Sequence, residues 1–310
     1  MRHFFLALMC GTRLLGAYCD RFEIELGQGY QDGNLDWNIA GPVVDGKVTP
    51  DVLSELNWQD LRIWNSRLAL AYYEEGYRIG FEGNYGKIFE GYVLDDDYGA
   101  NNRKSRFSHA RATGDKGEVF DYNLTLGYGL SYNGVTVTPY GGWGYEAQHL
   151  KMCAPATLEY NGNNNPFHTV PIEFKTQVPD LDSSYNASWQ GPLAGFDLRY
   201  DCSCLHLIGG FEYHWLDFRG KAHWNLRDDI IGPFHHSGTA SGTKFKVGGS
   251  VDFMCQWTLG LLATFTNYHL KDGVERSKII FDNQTVSIKT RLNDVNWNTW
   301  TLSVNLGYRY

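Results

Sequence analysis

Along the last ten residues, apolar side chains fall at every second position. Leu302, Val304, Leu306, Tyr308 and Tyr310 alternate with Ser303, Asn305, Gly307 and Arg309. A period of two is the mark of an extended strand whose two faces meet different surroundings. The same beat recurs upstream. Phe120, Tyr122, Leu124, Leu126, Tyr128, Leu130 and Tyr132 share one face, and Asp121, Asn123, Thr125, Gly127, Gly129 and Ser131 share the other. Phe245, Val247, Val251 and Phe253 oppose Lys244, Lys246, Gly248, Ser250 and Asp252. Charges gathered opposite an aromatic face suit a polar lumen and a lipid exterior. A soluble sandwich would repeat its turns about every 8–12 residues, and the alternating runs here are longer than that.

Read in this way, the chain divides into ten strands near 21–39, 52–73, 78–97, 117–132, 135–153, 187–200, 205–226, 242–254, 257–271 and 288–310. Short turns at 74–76, 133–134, 201–204 and 255–256 join alternate pairs, and Asn133-Gly134 carries the strongest hairpin signal. Longer connections cover 40–51, 98–116, 154–186, 227–241 and 272–287. The expected fold is all-β: a ten-stranded antiparallel up-and-down transmembrane β-barrel with short periplasmic turns and long extracellular loops. A terminal aromatic on the last strand resembles the closing strand of bacterial outer-membrane barrels, which gives the bacterial outer membrane as the expected location.

Composition agrees with the pattern. Thirty-five Gly, 20 Tyr, 17 Phe and 10 Trp against 9 Pro favour strands and aromatic girdles over helices. Mean hydropathy is −0.39, and no apolar run is long enough for a transmembrane helix. The net charge of −8 argues against nucleic acid as a partner. Residues 1–19, with Arg2 and His3 before the apolar run Phe4–Cys10, read as a signal peptide, leaving 20–310 as one barrel domain. His235 and His236 point to opposite faces of a strand and, with His223, lack a regular ligand spacing, so no metal and no cofactor is expected.

Several strings resemble the omptins, a family of ten-stranded outer-membrane proteases. Ile24-Glu25-Leu26-Gly27 is similar to the omptin first strand, Ser54-Glu55-Leu56-Asn57-Trp58 to the second, and Gly91-Tyr92-Val93-Leu94-Asp95-Asp96-Asp97-Tyr98 to the segment with the family's Asp-x-Asp pair. The resemblance implies catalytic roles for Asp95 and Asp97. It also implies an Asp-x-His pair across the mouth, whose imidazole would help activate water. At that place stands Lys221-Ala222-His223-Trp224-Asn225. One alignment gives His223 the histidine's place and Lys221 the aspartate's; another gives His223 the aspartate's and Asn225 the histidine's. Neither restores Asp-x-His. A lysine beside an imidazole disfavours its protonated form, the reverse of the aspartate's effect. Alternation from Ile79 and Phe81 moreover turns Asp96, not Asp95 and Asp97, toward the lumen, unless a bulge near Gly91 exchanges the faces. Arg199 matches a family arginine associated with lipopolysaccharide phosphate; an ion pair with Asp197 is the other reading. His109 falls in the loop where omptins carry a functional histidine.

Cys202, Cys204 and Cys255 lie in periplasmic turns, Cys153 ends the fifth strand near the opposite rim, and Cys10 leaves with the signal. In an oxidising compartment, exposed thiols pair. Either Cys202 or Cys204 bridges to Cys255, or they link to another chain, or they remain free thiols. Linkage between chains resembles the disulfide-linked envelope proteins of chlamydia-like bacteria. Three functions follow from these readings: a non-catalytic barrel acting as surface adhesin or envelope structural protein, an omptin-type endopeptidase with an altered site, and a porin. A ten-stranded lumen filled by side chains disfavours the porin, and the missing Asp-x-His disfavours the peptidase. The partners expected are outer-membrane lipid and lipopolysaccharide, and a host-surface or peptide ligand at the extracellular loops.

Overall fold

A computed structural model of the chain describes residues 21–44, 46–166, 172–254, 256–281 and 284–310; the signal-peptide reading of 1–19 and Cys255 lie outside them. The strands are β1 (Arg21–Ile39), β2 (Val43–Val44), β3 (Lys47–Val48), β4 (Ser54–Glu74), β5 (Tyr77–Ala100), β6 (Lys104–Thr113), β7 (Gly117–Tyr128), β8 (Leu130–Tyr132), β9 (Val135–Asn161), β10 (Glu173–Gln177), β11 (Asp182–Cys202), β12 (Leu205–His223), β13 (Phe234–Met254), β14 (Trp257–Phe281) and β15 (Gln284–Arg309). Each wall strand pairs antiparallel with its neighbour, and β15 pairs with β1 from Glu23↔Arg309 to Ile39↔Leu292, which closes the sheet. Closure leaves no open edge within the wall. β6, β7 and β8 lie end to end between β5 and β9, so they form one broken stave and the barrel has ten.

One rim carries tight turns at 75–76, 133–134 and 203–204, together with the chain end. Asn133 and Gly134 take φ of 48° and 78°, the left-handed pair that a type I′ hairpin turn demands. The opposite rim differs from expectation. Much of 98–116, 154–186, 227–241 and 272–287 is not loop but continued strand: β9 runs to Asn161, β13 begins at Phe234, β14 runs to Phe281 and β15 begins at Gln284.

The reason is an inversion of the alternation partway up each strand. On the lower stretch of β15, Trp300, Leu302, Val304 and Leu306 are exposed while Ser303 and Asn305 are buried. Above it, Val295 and Trp297 are buried. Elsewhere Trp64, Phe265, Trp215 and Trp143 mark the upper edge of the exposed apolar belt, and Tyr72, Tyr77, Tyr128, Tyr200 and Trp257 its lower edge. Such a belt between aromatic girdles is the lipid-facing band of a membrane barrel. Beyond the upper girdle the apolar face turns inward.

The interior follows the same division. At belt level the lumen is polar and its charges are paired. Arg67 bridges Glu25 and Glu82, and Lys246 reaches Glu212 at 2.9 Å and Asp197 at 3.5 Å. Below them a cavity of about 690 Å³ opens toward the short-turn rim. Above the belt the lumen is filled by an apolar core that includes Leu35, Trp37, Leu56, Trp58, Leu150, Tyr185, Trp189, Phe218, Leu270 and Trp297.

Candidate functional site

The mouth is reached through a defect in β4 and β5. Gln59 pairs with Tyr92 and Arg62 with Glu90, so Asp60 and Leu61 face Gly91 alone; Ile63 then pairs with Ile88, leaving Phe89 extra. Asp60 takes φ 52° at this bulge. Each extra residue exchanges faces. Below it Gly86 and Ile88 point inward; above it Val93 does, fully buried in the core. Asp95 and Asp97 therefore share the inner face with Val93, and the unbroken alternation that turned Asp96 inward is corrected.

Register completes the surroundings. Asp95 lies between Leu56 and Ala110, and Asp97 between Ser54 and Ser108. Burial pushes the Asp95 carboxyl well above its ordinary range, and the neighbouring Asp97 and Asp96 carboxylates push the same way. Asp97 is also raised by burial, against the opposing hydrogen bonds of Ser54 and Ser108. Two half-buried carboxyls on one strand face favour holding a proton over holding two charges. The cation whose field reaches both is Arg227, from the β12–β13 connection. Arg227 also grips Asp229 with two hydrogen bonds of 2.7 and 2.8 Å.

His223 does not join them. Ala222 is the inward residue at the top of β12, 1% exposed, so Lys221 and His223 project from the outer wall and are exposed. Asp96 also faces outward, where His109 Nδ1 lies 2.7 Å and Arg106 3.0 Å from its carboxylate. Among the described residues no imidazole pairs with Asp95 or Asp97, and no group of three or more His, Cys, Asp or Glu is placed to hold a metal ion. Arg199 sits on the inner face at the short-turn rim, bound to Asp201 at 2.7 Å and Glu23 at 3.6 Å. Its partners are thus Asp201 and Glu23 instead of Asp197. Cys202 and Cys204 are free and exposed beside the β11–β12 turn, and Cys153 is free and buried.

A second polar constellation went unseen in the sequence. Glu275 Oε2 lies 2.9 Å from His236 Nε2, and His236 Nδ1 lies 2.9 Å from the Tyr185 hydroxyl. Carboxylate, imidazole and hydroxyl in series have the form of a proton relay. However, Tyr185 is stacked on Trp58 at 5.4 Å, Trp37 covers His236 at 4.8 Å, and both relay rings are at most 1% exposed. Burial pushes the Tyr185 phenol far up, which keeps its proton in place. No substrate reaches it, and the chain acts as a polar rivet among aromatics. The alternation of His235 outward and His236 inward was its only readable trace.

On the outer wall just above the girdle, a shallow cavity of about 600 Å³ is lined by Lys87, Lys116, His149 and Lys151, with Glu118 and Asp182 between them. Lys151 pairs with Asp182 at 2.9 Å and His149 with Glu118 at 3.4 Å.

The sequence from 25 to 310 matches the family model described as Protochlamydia outer membrane protein. No curated protein matches it. Among solved structures, the outer membrane protease OmpT from Escherichia coli aligns over 97% of this chain and 100% of its own, with a TM-score of 0.75 and 13% identity. At that identity the likeness speaks for the fold alone. A major outer membrane protein from Thermus thermophilus aligns at 10% identity over 94% of this chain and 100% of its own, but with a TM-score of 0.36, too low to carry an argument.

Proposed function

Since the chain belongs to the Protochlamydia outer membrane protein family and is an outer-membrane barrel of the omptin fold, we propose that it is non-catalytic and serves as a surface adhesin or envelope structural protein. One observation carries this reading: His223 projects from the outer wall, and the charge that acts on Asp95 and Asp97 is the Arg227 guanidinium and not an imidazole. Hydrolysis through water needs a base that takes up a proton in step with attack. A guanidinium has donors only and cannot take that part. Asp95 and Asp97 are carboxyls and could take a proton themselves, so the reading rests on the partner missing across the mouth: among the described residues no imidazole pairs with either of them.

The test is direct. Refolded protein with lipopolysaccharide is incubated with a mixed peptide library, and no cleavage is expected. Cleavage that disappears in Asp97→Ala would overturn the non-catalytic reading in favour of the endopeptidase. The apolar packing above the girdle supports a closed lumen, so planar bilayers should carry no stepwise conductance; steps of uniform size would instead support the porin.

Two partners belong to the same reading. Lys87, Lys116 and Lys151 line one cavity on the outer wall just above the aromatic girdle, and such a group of cations supports lipopolysaccharide phosphate as a ligand. The exposed thiols of Cys202 and Cys204 support disulfide linkage to neighbouring envelope proteins in an oxidising periplasm.

A further inference from the structure

The string that broke the Asp-x-His pattern opens onto a second surface. Lys221 is exposed on the outer wall and pairs in register with His235; His235 pairs with Arg276, and Arg276 with Lys289. These four residues form one row across β12, β13, β14 and β15. Lys278 stands one step above Arg276 on the same outward face, and Arg291 one step below Lys289. All six side chains are exposed, and none forms an ion pair with a carboxylate among the described residues. What they have instead is neutral: Arg276 donates to the Ser237 hydroxyl at 3.3 Å and Arg291 to the Asn293 side-chain oxygen at 2.7 Å.

A row of unpaired cations stands out in a protein of net charge −8. Arg276 and Lys289 are directly opposed across two strands, and like charges so placed destabilise a sheet. Cationic side chains on a free edge can guard against edge-to-edge pairing. That accounts for Lys289 and Arg291 on the upper part of β15, but not for residues on β12, β13 and β14, whose edges are paired.

We infer that this basic band is a binding surface for an anionic saccharide chain, one bearing sulfate, phosphate or carboxylate groups. Height excludes the lipid headgroups. From Trp215 to Lys221 the strand climbs about 15 Å at barrel tilt, and from Phe265 to Arg276 about 27 Å. The polar region of a leaflet is only about 5–8 Å thick. The band therefore lies in the zone of surface carbohydrate. Its texture excludes a packed protein partner. Between the cations stand Ser237, Ser287 and the half-buried Val274, and among the described residues no aromatic side chain stands among them. Protein interfaces draw most of their energy from such anchors. Cations about 5 Å apart across strands and about 7 Å apart along them instead offer repeated contacts to charges spaced on a flexible chain, and guanidinium forks donate pairs of hydrogen bonds to sulfate, phosphate or carboxylate.

The inference is independent of the mouth and of whether the barrel cleaves peptides. It is tested on the full refolded chain with three immobilised ligands: heparin as the sulfated saccharide, a phosphorylated lipopolysaccharide core oligosaccharide, and poly-glutamate as the acidic polypeptide. The band variant is Arg276→Gln/Lys278→Gln/Lys289→Gln/Arg291→Gln. A control of equal net charge is Lys47→Gln/Arg103→Gln/Lys104→Gln/Lys175→Gln, and folding of both is checked by heat-modifiable migration. At low salt the native and control proteins should bind at least one saccharide, and the band variant about tenfold or more weakly. The saccharide bound more tightly names its source, a foreign surface or the cell's own envelope. Equal binding by band variant and control, no binding to either saccharide, or tightest binding to poly-glutamate would overturn the assignment.

Discussion

Truncating Trp58 tests whether the aromatic core above the membrane holds the outer half of the barrel shut. The ring is fully buried, stacks on Tyr185 at 5.4 Å and 19°, and donates from Nε1 to the Lys151 carbonyl at 3.2 Å. An aromatic side chain of this size buries roughly 200 Å², which at about 25 cal/mol per Å² is about 5 kcal/mol as an upper figure. Loss of the indole donor and the stack adds about 1 kcal/mol each, and relaxation around the cavity takes some back. Measured Trp→Ala substitutions in cores cost about 3–5 kcal/mol, so Trp58→Ala should cost about 4 kcal/mol. The loss should also be local. Urea unfolding in lipid vesicles would give the total, and amide exchange its distribution: protection falls in 54–61, 146–153 and 182–189 and persists in 257–265 and 300–308. A total below about 1 kcal/mol, or equal loss in both groups, would refute the view that the outer half has a core of its own.

The mouth carboxyls give a pH signature. Folding raises Asp95 above its ordinary 3.8, so it binds protons more tightly in the folded state, and its contribution is full below 3.8 and lost as pH rises through the folded value. Asp95→Asn should therefore gain urea resistance over the native protein at pH 8 and little at pH 3.5; equal midpoint shifts at both would contradict the burial argument. Arg227→Ala removes the opposing cation, and native-minus-variant stability should grow from acid to neutral pH in the same titration. Glu275→Ala leaves the His236 ring nitrogen without its hydrogen-bond partner, a loss of about 1–3 kcal/mol, visible in urea unfolding; a loss well under 1 kcal/mol would show that the relay is ornamental. Non-reducing gels of whole envelopes should show high-mass bands that vanish in Cys202→Ser/Cys204→Ser, and an unchanged monomer band would end the cross-linking proposal.

The barrel was legible because one physical rule, polar inside and apolar outside at lipid depth, governs residues such as Leu302–Leu306 and Phe120–Tyr128 without exception. The same rule hid the outer half. Above Trp300 the medium outside is water, so Val295 and Trp297 turn inward and Asn296 and Asn298 outward. A reader following apolar-out alternation meets a change of sign and takes it for a loop. This is why the alternation of 154–186, 227–241 and 272–287 reads as connections when much of them is wall.

The site was harder to read for a different reason. Alternation reports a face only relative to the last residue whose face is known, and a bulge resets that reference without any fixed residue signal. Asp60, at φ 52°, is as ordinary in sequence as any polar strand residue, yet the defect beside it decides that Asp95 and Asp97 rather than Asp96 look inward. On β12 there is no such reset. The beat from Leu216 and Phe218 to Ala222 is continuous, so Lys221 and His223 had to face outward, and an inward catalytic histidine at 223 would have required a bulge of its own. The two halves of the expected site were thus separated by one bulge present and one bulge missing. The charge that acts on the carboxyls comes instead from Arg227 in the β12–β13 connection, a residue whose place follows from tertiary closure and from no local pattern.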